Sequence, residues 1–475
     1  MISKKLEALL ASLNVPARNR FRKFLASPYF NEQQELAALL EVLLEPIPAN
    51  DKTQVWQKIF GDKPYQDGQM RRLISALITQ LLDFLAIEQC RRKSVRARAE
   101  LLDTLHHPRF ALHFAGLMRQ IQTEQEKSAQ QDADFHFHQY LIERQGYRQM
   151  ELSERSPDMM TKLNDAGFHL DCFYLSRKLE FYCDFLGYKD FLSIDTKYDT
   201  LSFATIENSC TSRHLAVPAI RIYYLIAQML MHPDQETFYY DAKYAINKYA
   251  ACFKKAEAKS FYIHLINYCI HKKINVGETR FFQELFSVYQ ALLDKGILLD
   301  DEGVLEPQHY KLIVSVGLQI QAFEWVEQFI QTHTPALPPD AQDNALTYNL
   351  AKVYFQQGYY TKVITLLQEV EYESLDYALG AKLMLLKTYY ELNEFLALDS
   401  MIDSFRIYLM RNKLISKEVR RQYLNVLRFV RKLSTIILGN RKAIIQIRRD
   451  IDACKMLADK NWILSKLQEL EEVNV

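Results

Sequence analysis

Glycine and proline are scarce in this chain. Each occurs 13 times in 475 residues, whereas average chains contain about 7% glycine and about 5% proline. This scarcity excludes collagen-like and loop-rich low-complexity chains, and it favours long helices joined by short connections. Because a chain of this length is too long for one compact core, we expect either several domains or an elongated stack with a continuous core.

Disulfide and zinc patterns are also missing. The seven cysteines are scattered, and no two of them form a CxxC pair. An odd number of dispersed cysteines predicts reduced thiols and a cytoplasmic location. Near the N-terminus, Lys4 and Lys5 are followed by Glu7 within an amphipathic run, which does not fit a secretion signal.

Long hydrophobic runs are absent too. The longest apolar stretch, residues 222–231, is interrupted by Gln228. It is far shorter than the ~20 residues needed to cross a bilayer. We therefore expect no membrane span.

The motifs of common enzymes do not occur. The chain has no GxxxxGK[ST], no GxGxxG, no HExxH and no GxSxG. His264 and His271 lie seven apart and are expected to be core or edge histidines. The nearest approach to a metal pattern is the alternation Asp132, Asp134, His136 and His138. We interpret it as helix surface, and we predict a protein without enzymatic activity, metal or cofactor.

An internal repeat is the strongest feature that is present. Eight positions in the C-terminal half match eight positions 35 residues later. The pairs are Leu350/Leu385, Ala351/Leu386, Tyr354/Tyr389, Gly358/Asn393, Tyr360/Phe395, Val363/Leu398, Leu367/Ile402 and Val370/Phe405. A third copy, offset by 37 residues, contains Ile313, Val314, Phe323, Val326 and Ile330. Because a single repeat cannot bury its apolar face, such units must stack on one another.

Residues 308–410 resemble degenerate tetratricopeptide repeats. The small residue at position eight of that family corresponds to Ala351, and the aromatics at positions eleven and seventeen correspond to Tyr354 and Tyr360. The sequence departs from the family pattern at Thr347, Val363, Val370 and Leu386. The resemblance implies an all-α fold, a right-handed α-solenoid of antiparallel helix hairpins.

Helical periodicity extends over the rest of the chain. From Met70 onwards, apolar residues recur at steps of three and four, which predicts one apolar helix face: Leu73, Ile74, Leu77, Ile78, Leu81, Leu82 and Leu85. We predict four segments: an N-terminal helical cap (1–105), repeat-like hairpins (106–303), tetratricopeptide-like repeats (304–412), and basic and capping helices (413–475). Trp462 is suited to shield the open end of such a stack.

The groove of a helical stack is lined mainly by the first helix of each hairpin. Polar residues on these helices without a predicted core role are candidates for contact with a peptide or helix of another protein. They are Asn349, Lys352, Gln356, Lys387 and Glu391.

Charge is unevenly distributed although the formal net charge is only +1. Residues 406–449 contain 13 Lys and Arg against the single Glu418, and residues 284–343 contain ten acidic residues against two lysines. On the predicted helix 416–433, six cations fall within one arc. This basic stripe consists of Lys417, Arg420, Arg421, Arg428, Arg431 and Lys432.

The basic stripe has two interpretations. It is either a solvated outer face or a docking surface for an acidic peptide, nucleic-acid phosphates or anionic lipid. Contact between the acidic and basic segments of two copies is a further hypothesis, and the sequence leaves the oligomeric state open. The leading functional hypothesis is a non-enzymatic interaction scaffold. A nucleic-acid-associated or regulatory protein that uses helix 416–433 is the alternative, and an enzyme with an unfamiliar site is a third.

Overall fold

A computed structural model describes residues 4–45, 52–91, 95–151, 157–192, 203–368, 375–436 and 441–473. Within these ranges the chain forms α-helices and short 3₁₀ or π segments, and no strand. The predicted all-α class is therefore confirmed. The chain divides into two compact units, Met1–Arg177 and Lys178–Val475. The four predicted segments remain a prediction.

Among its described residues the first unit contains eight complete helices. A ninth helix begins in the first unit and continues past Arg177 into the second. They are α1 (Lys4–Ala11), α2 (Val15–Leu25), α3 (Gln34–Leu44), α4 (Lys52–Phe60), α5 (Asp67–Arg91), α6 (Val95–Thr104), α7 (Ala111–Glu126), α8 (Ala133–Glu151) and α9 (Asp158–Leu192). Helices α1–α5 share one core, in which Phe21, Phe24 and Phe84 pack ring against ring.

Helix α5 is the central helix of that core. Its buried face consists of Met70, Leu73, Ile74, Leu77, Leu81 and Phe84, which largely follows the predicted periodicity, although Leu82 is exposed. Among the described residues α5 is the one helix long and apolar enough to cross a membrane, with a mean hydropathy of 1.4 over its best window. Core helices meet the same criterion, and the contacts of this buried face lie within the first unit.

The described part of the second unit continues with α10 to α24. Their bounds are α10 (Phe203–Ser209), α11 (Ser212–Leu215), α12 (Pro218–Met231), α13 (Glu236–Tyr249), α14 (Lys255–Asn267), α15 (Phe281–Asp294), α16 (Pro307–Gln319), α17 (Phe323–His333), α18 (Pro339–Gln356), α19 (Tyr360–Gln368), α20 (Leu375–Glu391), α21 (Phe395–Arg411), α22 (Lys417–Ser434), α23 (Arg441–Ala453) and α24 (Lys460–Val473). A π segment, Tyr268–Lys273, extends α14, and 3₁₀ turns occur at Pro108–Phe110, Ala250–Cys252, Ile274–Val276 and Thr334–Ala336.

Consecutive helices from α14 to α22 pack against each other, and the alternate helices α16, α18 and α20 also touch in sequence. Buried residues follow the 35-residue register. Val363 and Leu398 are both buried, as are Leu367 and Ile402. Val370 lies outside the described residues.

One turn geometry recurs three times between these helices. Gln321, Gly358 and Asn393 all have positive φ, at 59°, 77° and 58°. At each turn the next residue's N–H donates to the carbonyl five residues earlier, at 2.8–3.0 Å. This is the Schellman motif, in which a left-handed residue satisfies the last carbonyls of a helix. The three turns are 37 and 35 residues apart, which are the two offsets of the sequence repeat.

Close approach of α16 and α17 depends on Gly317. A Cβ at this position would lie 2.3 Å from Val326 Cγ2, so no larger residue fits without moving α17. Glycine within a helix lowers helix stability by roughly 1 kcal/mol relative to alanine. At position 317 its lack of a side chain allows the two helices to pack closely.

Candidate functional site

The five predicted contact residues lie on α18 and α20, but they do not form one surface. Asn349 is only 1% exposed, and its side-chain amide donates to the Ala345 carbonyl at 2.7 Å. It belongs to the core, which corrects the expectation of a surface position. Gln356 is exposed near the end of α18.

Lys352 is half-buried on α18, and its Nζ lies 5.3 Å from the centre of the Tyr348 ring. Desolvation lowers the pKa of its ammonium group, and the charges of Lys311 and Lys387 lower that pKa further. Within the part of the chain that the structure describes, no carboxylate lies within 4.0 Å of the Lys352 or Lys311 amino group. A desolvated cation without a counter-charge is unfavourable for folding, and such groups concentrate at functional sites.

Lys311, Lys352 and Lys387 lie on the successive alternate helices α16, α18 and α20, and we call them the lysine row. Each amino group lies over an aromatic ring. Lys311 is 4.8 Å from the centre of Tyr377, and Lys387 is 4.7 Å from that of Phe355 and 5.2 Å from that of Trp462. A cation over a ring face is attracted by the negative face of the ring even where no counter-anion is present.

Tyrosine rings form the floor of the lysine row. The rings of Tyr348 and Tyr377 meet edge to face, with 5.2 Å between their centres. Tyr348 reaches this position because Gly380 has no side chain: a Cβ there would lie 2.3 Å from the Tyr348 hydroxyl. The ring positions therefore depend on a small residue in α20.

Lys387 and Glu391 are tied to the last helix. The Lys387 amino group is 2.6 Å from the Asp459 carboxylate, just before α24. Glu391 accepts hydrogen bonds from Trp462 Nε1 at 2.9 Å and from Lys466 Nζ at 2.8 Å. Both residues thus help to dock α24 on α20, and Lys387 also belongs to the lysine row.

Half of the basic stripe is engaged within the protein. Arg420 donates to the carbonyls of Leu409, Asn412 and Ile415 at 2.8, 3.0 and 3.3 Å. It therefore holds the turn between α21 and α22. Arg431 pairs with Asp403 at 2.8 Å, and Lys432 with Asp450 at 2.7 Å.

The other half of the stripe faces solvent. Lys417, Arg421 and Arg428 are exposed, and the Arg428 guanidinium stacks over the Phe429 ring at 4.6 Å. Arg421 and Arg428 border an open depression of about 670 Å³ between α22 and α23. The buried side of α22 contains Val426, Phe429, Val430 and Leu433.

A second depression, of about 700 Å³, lies between α9, α12 and α14 in the second unit. His264 and His271 both border it. Burial lowers the pKa of His264 to about 4, and its Nε2 is 3.7 Å from the Asp184 carboxylate, too long for a hydrogen bond. The nearby Cys183 thiol has a raised pKa because it is buried, and it donates to the Tyr223 carbonyl. These groups do not form an oriented nucleophile and base.

The interpretation of the Asp132 to His138 alternation as helix surface is wrong, since Asp132 and His136 are buried, and these residues have local structural roles. Asp132 accepts the Phe135 N–H at 2.8 Å, and Asp134 pairs with Arg177 at 2.7 Å. His136 Nδ1 lies 3.0 Å from His169 Nδ1. In the described ranges no three His, Cys, Asp or Glu side chains are grouped as metal ligands.

Sequence reasoning found Lys352 and Lys387 but missed Lys311, because Lys311 does not occupy the position equivalent to Lys352 in the repeat. No family model, curated protein or solved structure matches this chain.

Proposed function

We propose that this protein is a non-enzymatic interaction scaffold. In this proposal α16–α21 are tetratricopeptide-like hairpins of a right-handed α-solenoid, and α16, α18 and α20 line a groove for a peptide or helix of another protein. The recurring Schellman turns and the contacts between alternate helices support it. The free state of all seven cysteines supports a cytoplasmic location.

The lysine row carries the proposal. The row consists of three lysines on three alternate helices, and each amino group lies over an aromatic ring. Two of these amino groups have no described carboxylate within 4.0 Å. This arrangement suits a ligand with acidic side chains. A ligand carboxylate beside Lys352 would supply the counter-charge that this desolvated ammonium lacks. Binding of that kind needs no chemical step, which fits a scaffold.

Site-specific crosslinking in native extract tests the proposal. A photoreactive amino acid at Gln356, which is exposed on α18 close to Lys352, should capture a discrete protein partner. The same probe at Leu112, which is exposed on α7, is the matched control and should not capture that partner. Failure of the Gln356 probe to give a specific product, or the same product from both positions, would contradict the groove.

The nucleic-acid alternative depends on the exposed part of the basic stripe. Phosphate contacts predict that the logarithm of affinity falls steeply with the logarithm of salt concentration, whereas capture of a peptide in a groove is less sensitive. Titration of the partner at two ionic strengths separates the two. A steep slope together with loss of binding in Arg421→Glu/Arg428→Glu would favour nucleic acid over the groove.

A further inference from the structure

The turn between α21 and α22 presents a leucine to solvent in a fixed conformation. Leu414 is 83% exposed, while the adjacent Ile415 is buried. The side-chain oxygen of Asn412 accepts the Leu414 N–H at 3.0 Å. Arg420 binds carbonyl groups on both sides of the turn. The outward position of Leu414 is therefore held by hydrogen bonds.

Two more apolar side chains continue this surface along the last turns of α21. Ile407 is 50% exposed and Met410 is 60% exposed. Ile407 and Met410 are three apart and lie on the same face of α21, and Leu414 follows in the turn that begins at the extended Asn412. We call these three exposed side chains the apolar patch.

Basic residues flank the patch along the chain. The segment 406–421 contains six basic residues and one acid, Glu418. Five of the six are exposed, and none of these five has a described carboxylate within 4.0 Å: Arg406, Arg411, Lys413, Lys417 and Arg421. Arg431 and Lys432, further along α22, are paired with aspartates. Arg428, also on α22, is exposed as well and has no described carboxylate within 4.0 Å, so the uncompensated positive charge extends from the apolar side chains along α22.

We propose that this basic tip, residues 406–421, docks on an anionic lipid surface. Leu414, Met410 and Ile407 insert at the boundary between headgroups and acyl chains, while the cations contact lipid phosphates and carboxylates. A protein partner fits less well, because a standard protein interface buries about 800 Å² on each side and this patch has three apolar side chains. Peripheral membrane binding needs only a few inserted side chains when several cations assist. This surface is separate from the lysine row and does not depend on the scaffold proposal.

Co-sedimentation of the full chain with vesicles tests the docking. Vesicles of phosphatidylcholine with phosphatidylserine should bind the protein, vesicles of phosphatidylcholine alone should bind it weakly, and added salt should release it. Each cation near an anionic surface contributes about a fivefold increase in partitioning. Lys413→Glu/Lys417→Glu should therefore reduce binding by at least about 25-fold.

The apolar contribution has a matched control at the far end of α21. Leu414→Ser should weaken vesicle binding by about tenfold, since it removes one inserted side chain. Leu396→Ser changes an 89% exposed leucine at the other end of α21 and should leave binding unchanged. Both variants should keep the circular dichroism spectrum of the parent protein, because both positions are exposed.

Three outcomes would overturn the docking. The first is equal binding to vesicles with and without phosphatidylserine. The second is an equal loss of binding in Leu396→Ser and Leu414→Ser. The third is binding to a single-stranded oligonucleotide that is tighter than binding to the anionic vesicles and unaffected by Leu414→Ser, which would assign the cations to nucleic acid.

Discussion

Replacing Lys352 by methionine should stabilise the free protein and abolish binding of an acidic ligand. Methionine keeps the length of the apolar stem and removes the desolvated charge. In the free protein the Lys352 ammonium has two lysines near it and no described carboxylate partner. Its removal therefore relieves both desolvation and repulsion.

The size of the effect follows from partial burial. Complete burial of an unpaired ion costs several kcal/mol after relaxation. Because Lys352 is only half-buried, we expect a gain of about 1–2 kcal/mol. For a unit of this size, each kcal/mol raises the melting temperature by roughly 1.5–2 °C. The gain should shrink at alkaline pH, since the lowered pKa lets wild-type Lys352 lose its proton there before the unfolded chain does.

Lys466→Met is the matched control in the same unit. Lys466 is paired with Glu391 at 2.8 Å and with Glu469 at 2.7 Å. Its replacement leaves the largely buried Glu391 carboxylate without an ammonium partner, so we expect a loss of about 2 kcal/mol. The two Lys→Met changes should shift the melting temperature in opposite directions.

Thermal unfolding of ligand-free protein, followed by circular dichroism, measures both variants. Ligand must be absent because a bound ligand stabilises the folded state by mass action. A lower melting temperature for Lys352→Met would show that Lys352 has a stabilising anionic partner in the free protein. That result would refute the reasoning behind the lysine row.

Three further predictions concern individual structural features. Gly358→Ala should lower the free energy of urea unfolding by about 1 kcal/mol, and Gln321→Gly should raise it by up to about 1 kcal/mol. The reason is that both residues have positive φ, which glycine adopts without strain. Effects of the same sign in the two variants would contradict this reason. Burial lowers the pKa of His136 from 6.5 to about 4, and the charge of His169 contributes to this lowering. As pH falls, the His136 imidazole therefore takes up a proton in the unfolded state before it does so in the folded state. The free energy of unfolding should decrease between pH 6.5 and pH 4. This linkage lowers the free energy of unfolding by about 2 kcal/mol between pH 8 and pH 5. In His136→Gln the free energy measured by urea unfolding should change less over this pH range. An unchanged pH dependence would show that other groups cause it. Arg420→Met removes three hydrogen bonds to carbonyls and should lower the stability of the α21–α22 turn by about 2 kcal/mol. The measurement is amide hydrogen exchange, which should become faster at this turn. Unchanged exchange would show that the turn does not depend on Arg420.

Local patterns in the sequence predicted local structure well. The apolar face of α5 and the buried side of α22 follow from spacing alone, because helix geometry fixes which residues share a face. The turns at Gly358 and Asn393 lie at one of the matched pairs of the 35-residue repeat. The third turn could not be predicted in this way. Gln321 has the left-handed conformation, although glutamine is not a residue type that indicates positive φ as glycine and asparagine do.

Side-chain partners could not be predicted, since they come from distant parts of the chain. Asn349 was expected on the surface, but its amide bonds back to a carbonyl one turn earlier and the side chain is buried. Glu391 meets Trp462 and Lys466 more than 70 residues later. Arg420 has the spacing of a surface cation, yet its guanidinium caps the end of the preceding helix. Spacing predicts a helix face, but it does not identify what covers that face.

If the proposed groove binds an acidic ligand, the contact between Lys387 and Asp459 would link α24 to that binding. A second carboxylate beside the Lys387 ammonium repels the first, so a ligand acid that reaches Lys387 weakens the attraction between Lys387 and Asp459. Ligand capture and detachment of α24 are then thermodynamically coupled, and each favours the other to the same degree. The C-terminal helix would act as an internal competitor, and shortening the chain before Asp459 should raise affinity at the expense of stability.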